Sequence, residues 1–574
     1  MAAGLTRLKK SGYAATEPKL NAWGGRTRAA LNTQRVLSAA LAALVLLPLI
    51  SIVWASTRSA FHASAWAELM TAPLLWPAWR MTLWTGLAST LLAYGLCAWF
   101  LSHAFGRYLW TAMVRALGPM LAVPHAAFAV GLVFLIAPSG WILRALSPWL
   151  TGFEQPPSWL TSQDPWGLGM IAILVFKEIP FLLWSVATQL QRDDVGQRLV
   201  QELQVAQTMG YARRTAFAGV VWPQLVPRLR WPAAAVLAYG LTVVDIAQIS
   251  GPSNPSTLSV VAWQWLQDSD SMTNAQGAIA GWLLAGTVGT CAIALAWLGQ
   301  WLAASRHTGQ RGLDGRALLS RQWGVGSCVF AALCAIYGLV LLALLMGSIS
   351  GVWPFPQVLP DSMSWQAWTS VADSSSTLRT TVVLAISSTT LALLWAIAWL
   401  ELAPTRWDQA MRWPLYLPLL LPSVLWVVGL HSVALQWGAS ASWSALIAAH
   451  TLAVLPYVVI ALSPAYLGFD QRYAHISASL GRSYSAFLCR VKWPMLRASI
   501  TAAAAVGIAV SVAQYLPTLY VGEGRFTTVT TEAVTLASGG QRNLVAAYAW
   551  LQWLIPVLGF GAAAWLGKPR RFKR

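Results

Sequence analysis

Three ionisable residues stand inside long apolar runs: Lys177 and Glu178 in MIAILVFKEIPFLLW, and Asp245 in LTVVDIAQIS. A charge at the centre of a bilayer costs about 2.5–3.5 kcal/mol on insertion scales, so each needs a cavity or a partner. Neighbouring helical residues point about 100° apart, so Lys177 and Glu178 do not pair face to face. Two readings fit. The residues line a path for a cationic or polar solute, or Lys177 joins Asp245 or Glu178 in a network that fixes helix packing. The later stretch that matches this one carries Ala453 and Val454, so a site built on the pair is asymmetric. Gln248 in IAQIS and Gln514 in VAQYL also occupy matching places. With Tyr515 they either line the path or tie membrane helices together through their amides.

Other chemistry is missing from the pattern. His103, His125, His431 and His450 are scattered without HExxH or any other metal-ligand spacing, so no metal site is expected. Cys97, Cys291, Cys328, Cys334 and Cys489 form no CxxC pair. The chain has no nucleophile elbow, no paired-carboxylate pattern and no GxxxxGK[ST] phosphate loop. No catalytic residue and no cofactor of its own is therefore expected.

The elements that hold these residues are set by composition. Of 574 residues, 57% are apolar and 10% charged, against about 25% charged in soluble globular proteins. That balance excludes an ordinary soluble enzyme, a disordered chain and a disulfide scaffold. A bilayer-crossing helix needs about 20 apolar residues, and twelve windows qualify: 36–55, 81–102, 117–137, 168–190, 232–250, 277–302, 326–348, 381–400, 415–436, 443–465, 499–520 and 544–566. Prolines interrupt the third and ninth. Many of the 35 Trp residues sit at the ends of these windows, where indole prefers the lipid–water boundary. The first window ends without a small-residue cleavage site and reads as an anchor rather than a cleaved signal.

The net charge of +19 follows topology. Of the 38 Lys and Arg, 31 lie in the two tails and in the alternate loops at 103–116, 191–231, 303–325, 401–414 and 466–498. The positive-inside rule then places both tails in the cytoplasm. The excess needs no nucleic-acid partner to explain it; its surroundings are the bilayer and the cytoplasm.

The chain also repeats. QVAQTMGYARRTAFAGVVWP and HISASLGRSYSAFLCRVKWP each place a Gly before a Trp-Pro pair at the same spacing: Gly210, Trp222 and Pro223, then Gly481, Trp493 and Pro494. LAVPHAAFAVGL, with Pro124 and Gly131, echoes LLLPSVLWVVGL, with Pro422 and Gly429. KEIPFLLW echoes AVLPYVVI. One unit of about six spans is used twice, with the basic segment Ser305 to Arg321 as the seam; the expected units are 1–310 and 311–574. Each Gly loop reads as two short helices with a sharp Gly turn between them, and a Pro that breaks the second before the membrane is re-entered. Such loops are too long to be simple connectors. They serve either as docking elements or as interfacial helices drawn to anionic lipid by Arg213, Arg214, Arg228 and Arg230. Their recurrence at matching positions favours docking.

This loop resembles the cytoplasmic loop of binding-protein-dependent ABC importer permeases: EAA, three residues, Gly, nine residues, Ile, any residue, Leu, Pro. The first copy matches with Gln204, Val205, Ala206, Gly210, Val220, Trp222 and Pro223. The second matches with His475, Ile476, Ser477, Gly481, Val491, Trp493 and Pro494. Gly and Pro fit in both copies. The leading Glu is replaced by Gln204 and His475, and the Leu by Trp. The whole chain resembles two fused permease halves, as in ferric iron and thiamine permeases, and LAVPHAAFAVGL, FKEIPFLLW and VVDIAQISGPSNPSTLSVVAWQWL look closest to the YnjC-type permease.

The resemblance implies an all-α membrane protein of about twelve transmembrane helices in two tandem six-helix, MetI-like repeats. It implies a bacterial inner-membrane location, two ATP-binding cassette ATPase subunits that bind the ATP, and a periplasmic solute-binding protein. It also implies that the loops at 191–231 and 466–498 couple to the ATPases, with segments 197–222 and 468–493 seated in them. The periplasmic segments at 56–80, 138–166 and 350–378 are either a docking surface for the binding protein or plain solvated loops. Two rivals are weighed. A twelve-span transporter driven by an ion gradient is disfavoured by the duplicated loop and the few midplane charges. A membrane transferase acting on lipid-linked substrates would need an Asp, His or Arg cluster at one membrane face, and the sequence has none.

Overall fold

The computed structural model describes residues 28–58, 61, 63–190, 193–309 and 324–568. The basic tail before residue 28, residues 310–321 of the seam and the basic residues from 570 onward lie outside the described residues. Among the described residues the chain is helical, with one isolated bridge between Ser350 and Met363 and no strand.

Each of the twelve expected windows holds helix. Nine of the described helices are long and apolar enough to cross a membrane, or eleven if each of two bent pairs is one span. The main helices of the first part are α1 (Arg28–Arg58), α2 (Leu75–Ala104), α3 (Tyr108–Ala122), α4 (His125–Ile136), α5 (Leu168–Leu190), α6 (Asp193–Thr208), α7 (Trp222–Thr242), α8 (Asp245–Ser250), α9 (Leu258–Leu266) and α10 (Ser271–Gly309). Those of the second are α11 (Val325–Ile349), α12 (Ser375–Leu402), α13 (Ser423–Gln436), α14 (Trp443–Leu467), α15 (Arg472–Ser479), α16 (Arg497–Val512), α17 (Leu516–Gly522), α18 (Val529–Thr535) and α19 (Arg542–Gly567).

The difference from twelve has physical causes. The windows outside the nine are the fifth, ninth and eleventh; the third still counts, as His125–Leu146, although Pro124 lacks an N–H, holds Val123 extended and breaks it between α3 and α4. Pro422 does the same before α13. The fifth window is helical, but α7 carries Arg228, Arg230 and three prolines and is too polar at its start to rank with the nine.

Contacts recur in matching places. The backbone N–H of Leu258 at the start of α9 donates to Thr82 Oγ1 on α2 at 2.7 Å, and that of Val529 at the start of α18 donates to Thr381 Oγ1 on α12 at 3.0 Å. Ser259 Oγ donates to the Val243 carbonyl, and Thr530 Oγ1 to that of Val512. In both places a buried hydroxyl satisfies a helix end inside the helix bundle.

The first helix of each part crosses to the other. α1 packs on α13 and α12, while α11 packs on α4 and α19. A Cβ on Gly131 would sit 2.9 Å from the Val340 carbonyl of α11, and one on Gly429 would strike the Ile52 carbonyl of α1. These are the two glycines of the repeated LAVP and LLLP stretches, and their missing side chains let backbones touch. Trp395 Nε1 of α12 donates to the Leu41 carbonyl of α1 at 3.0 Å, and Val45 and Leu49 share one core with Trp395 and Trp399. Beyond the helix ends, buried Arg144 donates to the carbonyls of Ser139, Pro354, Gln357 and Trp353, which joins residues 139–144 to the loop after α11.

Candidate functional site

The two Gly loops fold alike. α6 ends at Gly210 with φ +90°, and α15 ends at Gly481 with φ +69°. Tyr211 N–H reaches back to the Ala206 carbonyl at 3.2 Å, and Arg482 N–H to that of Ser477 at 3.1 Å. Gly210 N–H bonds the Gln207 carbonyl, and Gly481 N–H that of Ala478. This pair of bonds is a Schellman turn, which needs a left-handed residue where glycine stands. Ala206 and Ser477 are buried and supply the accepting carbonyls. Gln204 and His475 are exposed. The exposed surface beside each turn is apolar: Val205 is 58% exposed and Met209 71%, and at the same places Ile476 is 56% and Leu480 72% exposed. Residues four apart lie on one helix face, so each loop presents a two-residue apolar ridge.

The expected proline break is instead a widened turn. Phe217–Val221 and Leu488–Lys492 are both π-helical, and Pro223 and Pro494 sit in the first turn of the next helix. Proline withholds the N–H owed to the residue four before it, and an expanded turn accommodates that loss. Val220 and Val491 are half-buried within these turns.

Each loop is fastened to the end of the second helix of its part by different chemistry. In the first, Arg213 Nη2 donates to the Phe105 carbonyl, and Arg214 Nη2 meets His103 Nε2 at 2.5 Å. His103 Nδ1 lies 2.8 Å from the Trp99 carbonyl, so that nitrogen carries the proton and Nε2 accepts. Burial, with Arg107 nearby, pulls the Arg213 guanidinium down to about 10. Glu202 on α6 accepts from Gln224 and Arg198, which hold its carboxyl below the ordinary range. In the second, Lys492 Nζ donates to Glu401 Oε2 at 2.5 Å, with both side chains buried. Tyr466 donates to the same oxygen at 2.5 Å, and Tyr484 to Oε1. Lys492 Nζ also lies 4.2 Å from the Tyr466 ring centroid, and Trp493 Nε1 donates to the Tyr466 hydroxyl. The position matching Lys492 in the first loop is buried Val221.

The intramembrane residues divide into two groups. Lys177 forms no salt bridge with Glu178 or Asp245 among the described residues; its Nζ donates to the carbonyls of Val123 at 2.6 Å and Met120 at 3.3 Å. It thereby satisfies the helix end that Pro124 leaves open, with the Phe128 and Tyr337 rings beside it. Glu178 instead faces His125, at 3.4 Å. The Tyr239 ring lies 4.8 Å from that of His125, tilted by 56°, and within electrostatic reach of Asp245, Glu178 and Tyr457. Tyr515 donates to Gln248 Oε1 at 2.8 Å, a contact that bridges the two parts of the chain. Gln514 bonds the Val510 carbonyl of its own helix at 3.2 Å. His450 is satisfied by Ser511 and Thr518.

Sequence reasoning named His125 and His103 only as scattered histidines, and passed over Tyr239 and Tyr457 in the polar cluster and Glu401 and Lys492 at the loop anchor. Glu401 carried one readable signal, a carboxylate at the end of an apolar window with no partner nearby in sequence. No protein-family model matches the chain. The inner membrane ABC transporter permease protein YnjC of Escherichia coli (strain K12) is 32% identical to it over 541 residues, which cover 93% of this chain and 97% of that protein.

Proposed function

The chain belongs to the ABC transporter permeases of the YnjC type, and from that membership we propose that it is the membrane subunit of an importer driven through its two Gly loops. It is a multi-pass inner-membrane protein and a transport subunit. Its solute moves from periplasm to cytoplasm. Two ATPase subunits bind the ATP, a periplasmic binding protein delivers the solute, and both tails lie in the cytoplasm. The units 1–310 and 311–574 are two MetI-like repeats. They rock about a shared path lined by Glu178, Asp245, Gln248, Gln514 and Tyr515, with His125, Tyr239 and Tyr457 beside them. Lys177 shapes that path by holding the broken α3–α4 span.

The observation that carries the reading is the doubled loop: one Schellman turn, one π turn and one exposed apolar ridge, repeated at the same spacing. An exposed apolar ridge on a cytoplasmic loop calls for a protein cover. Closure of the ATPases on ATP would move both ridges together and switch the path between its two openings, with no covalent chemistry in this chain.

Purification of the tagged chain in mild detergent from its native host, followed by mass spectrometry, tests this directly. A P-loop ATPase at about two copies per permease is expected. A chain that stays alone after gentle crosslinking would overturn the reading. Gly210→Pro and Gly481→Pro together should uncouple transport from ATP hydrolysis while the protein still inserts, and full uptake by the double variant would count against coupling through the loops.

A further inference from the structure

We infer that Glu401 and Lys492 are positioning residues that seat the second Gly loop alone, so that the two ATPase contacts are held by separable and chemically different anchors. The inference rests on the docking reading of the loops. Glu401 ends α12, Tyr466 ends α14, and Tyr484 and Lys492 flank the second loop's last turns. One buried carboxylate therefore ties three elements: both its oxygens are used, and its ammonium partner stands 2.5 Å away under a tyrosine ring. A buried carboxylate that takes three donors on its two oxygens is held in direction as well as distance, because parting it from the ammonium would strand a charge.

The first loop has nothing of this kind. Ser102, beside His103, stands where Glu401 stands, and Val221 where Lys492 stands. Its anchor is two arginines on a backbone carbonyl and a neutral imidazole. The second loop is thus latched by a charge pair that the first lacks. Loss of that pair releases the Ile476–Leu480 ridge and leaves the Val205–Met209 ridge where it is.

The test uses the full chain co-expressed with its ATPase. A photo-crosslinking amino acid replaces either Leu480 or Met209, and crosslinks to the ATPase are quantified. Lys492→Met alone leaves Glu401 unpaired, so the neutral pair Glu401→Gln/Lys492→Met is made beside it. In both variants the yield from position 480 should fall at least fivefold, and the yield from position 209 should stay within twofold of the parent. Lys492→Arg, which keeps the charge, should restore most of the yield at 480. Unchanged yields at 480 overturn the latch, and so does a fall at both positions together, because the pair would then support the whole chain. Crosslinks from neither position in the parent would instead overturn the docking reading.

Discussion

Glu401 and Lys492 are worth more as a pair than either is worth alone. Removing one member of a buried ion pair costs about 3–5 kcal/mol, largely because the other charge is stranded. Glu401→Gln is therefore expected to lower the thermal midpoint in detergent further than the neutral pair Glu401→Gln/Lys492→Met does. Equal midpoints would show that the charges do not depend on one another. Lys177 belongs to a different account. Its ammonium serves the Met120 and Val123 carbonyls at a proline break, so Lys177→Met leaves two buried acceptors unserved, at about 1–3 kcal/mol for such a group. A drop in thermal midpoint checks that, and an unchanged midpoint would return Lys177 to the solute path. In the sequence Lys177 was visible as a charge in an apolar run. Its partners were not, because backbone carbonyls carry no residue type and become acceptors only where Pro124 frees them.

The helices themselves were largely legible, because a bilayer-crossing run of apolar residues is a local signal. Their interruptions were legible where a proline causes them, at Pro124 and Pro422. The π turns were not, since a widened turn is a response to Pro223 and Pro494 that leaves no residue pattern of its own. The Gly turns were legible in full: Gly210 and Gly481 stand at positive φ, where the spacing demanded a sharp reversal. A side chain in that conformation costs about 1–2 kcal/mol. Gly210→Ala is thus expected to loosen the end of α6 and speed amide exchange at Met209, Gly210 and Tyr211, whose N–H groups close the turn. Exchange as slow as in the parent would mean that the turn tolerates a Cβ.

At the scale of the molecule, recurring segments were plain in the sequence, and the packing of α1 on α13 and of α11 on α4 was not. Repetition says that two units are alike; it does not say which surface each helix covers, because Ile52 and Gly429 meet only in three dimensions. The crossing predicts that segments 1–310 and 311–574, expressed as two chains, resist protease only when both are made together. Protease resistance of either alone would contradict the packing of α1 on α13 and of α11 on α4. The same crossing bears on biosynthesis. α1 leaves the ribosome early, but its seat on α13 is made most of a chain later, a wait on the order of tens of seconds at bacterial rates of translation. A helix inserted early and covered late has to be at ease in lipid by itself. α1 and α11, the two helices that cross, are the most apolar of the nine candidate spans among the described residues.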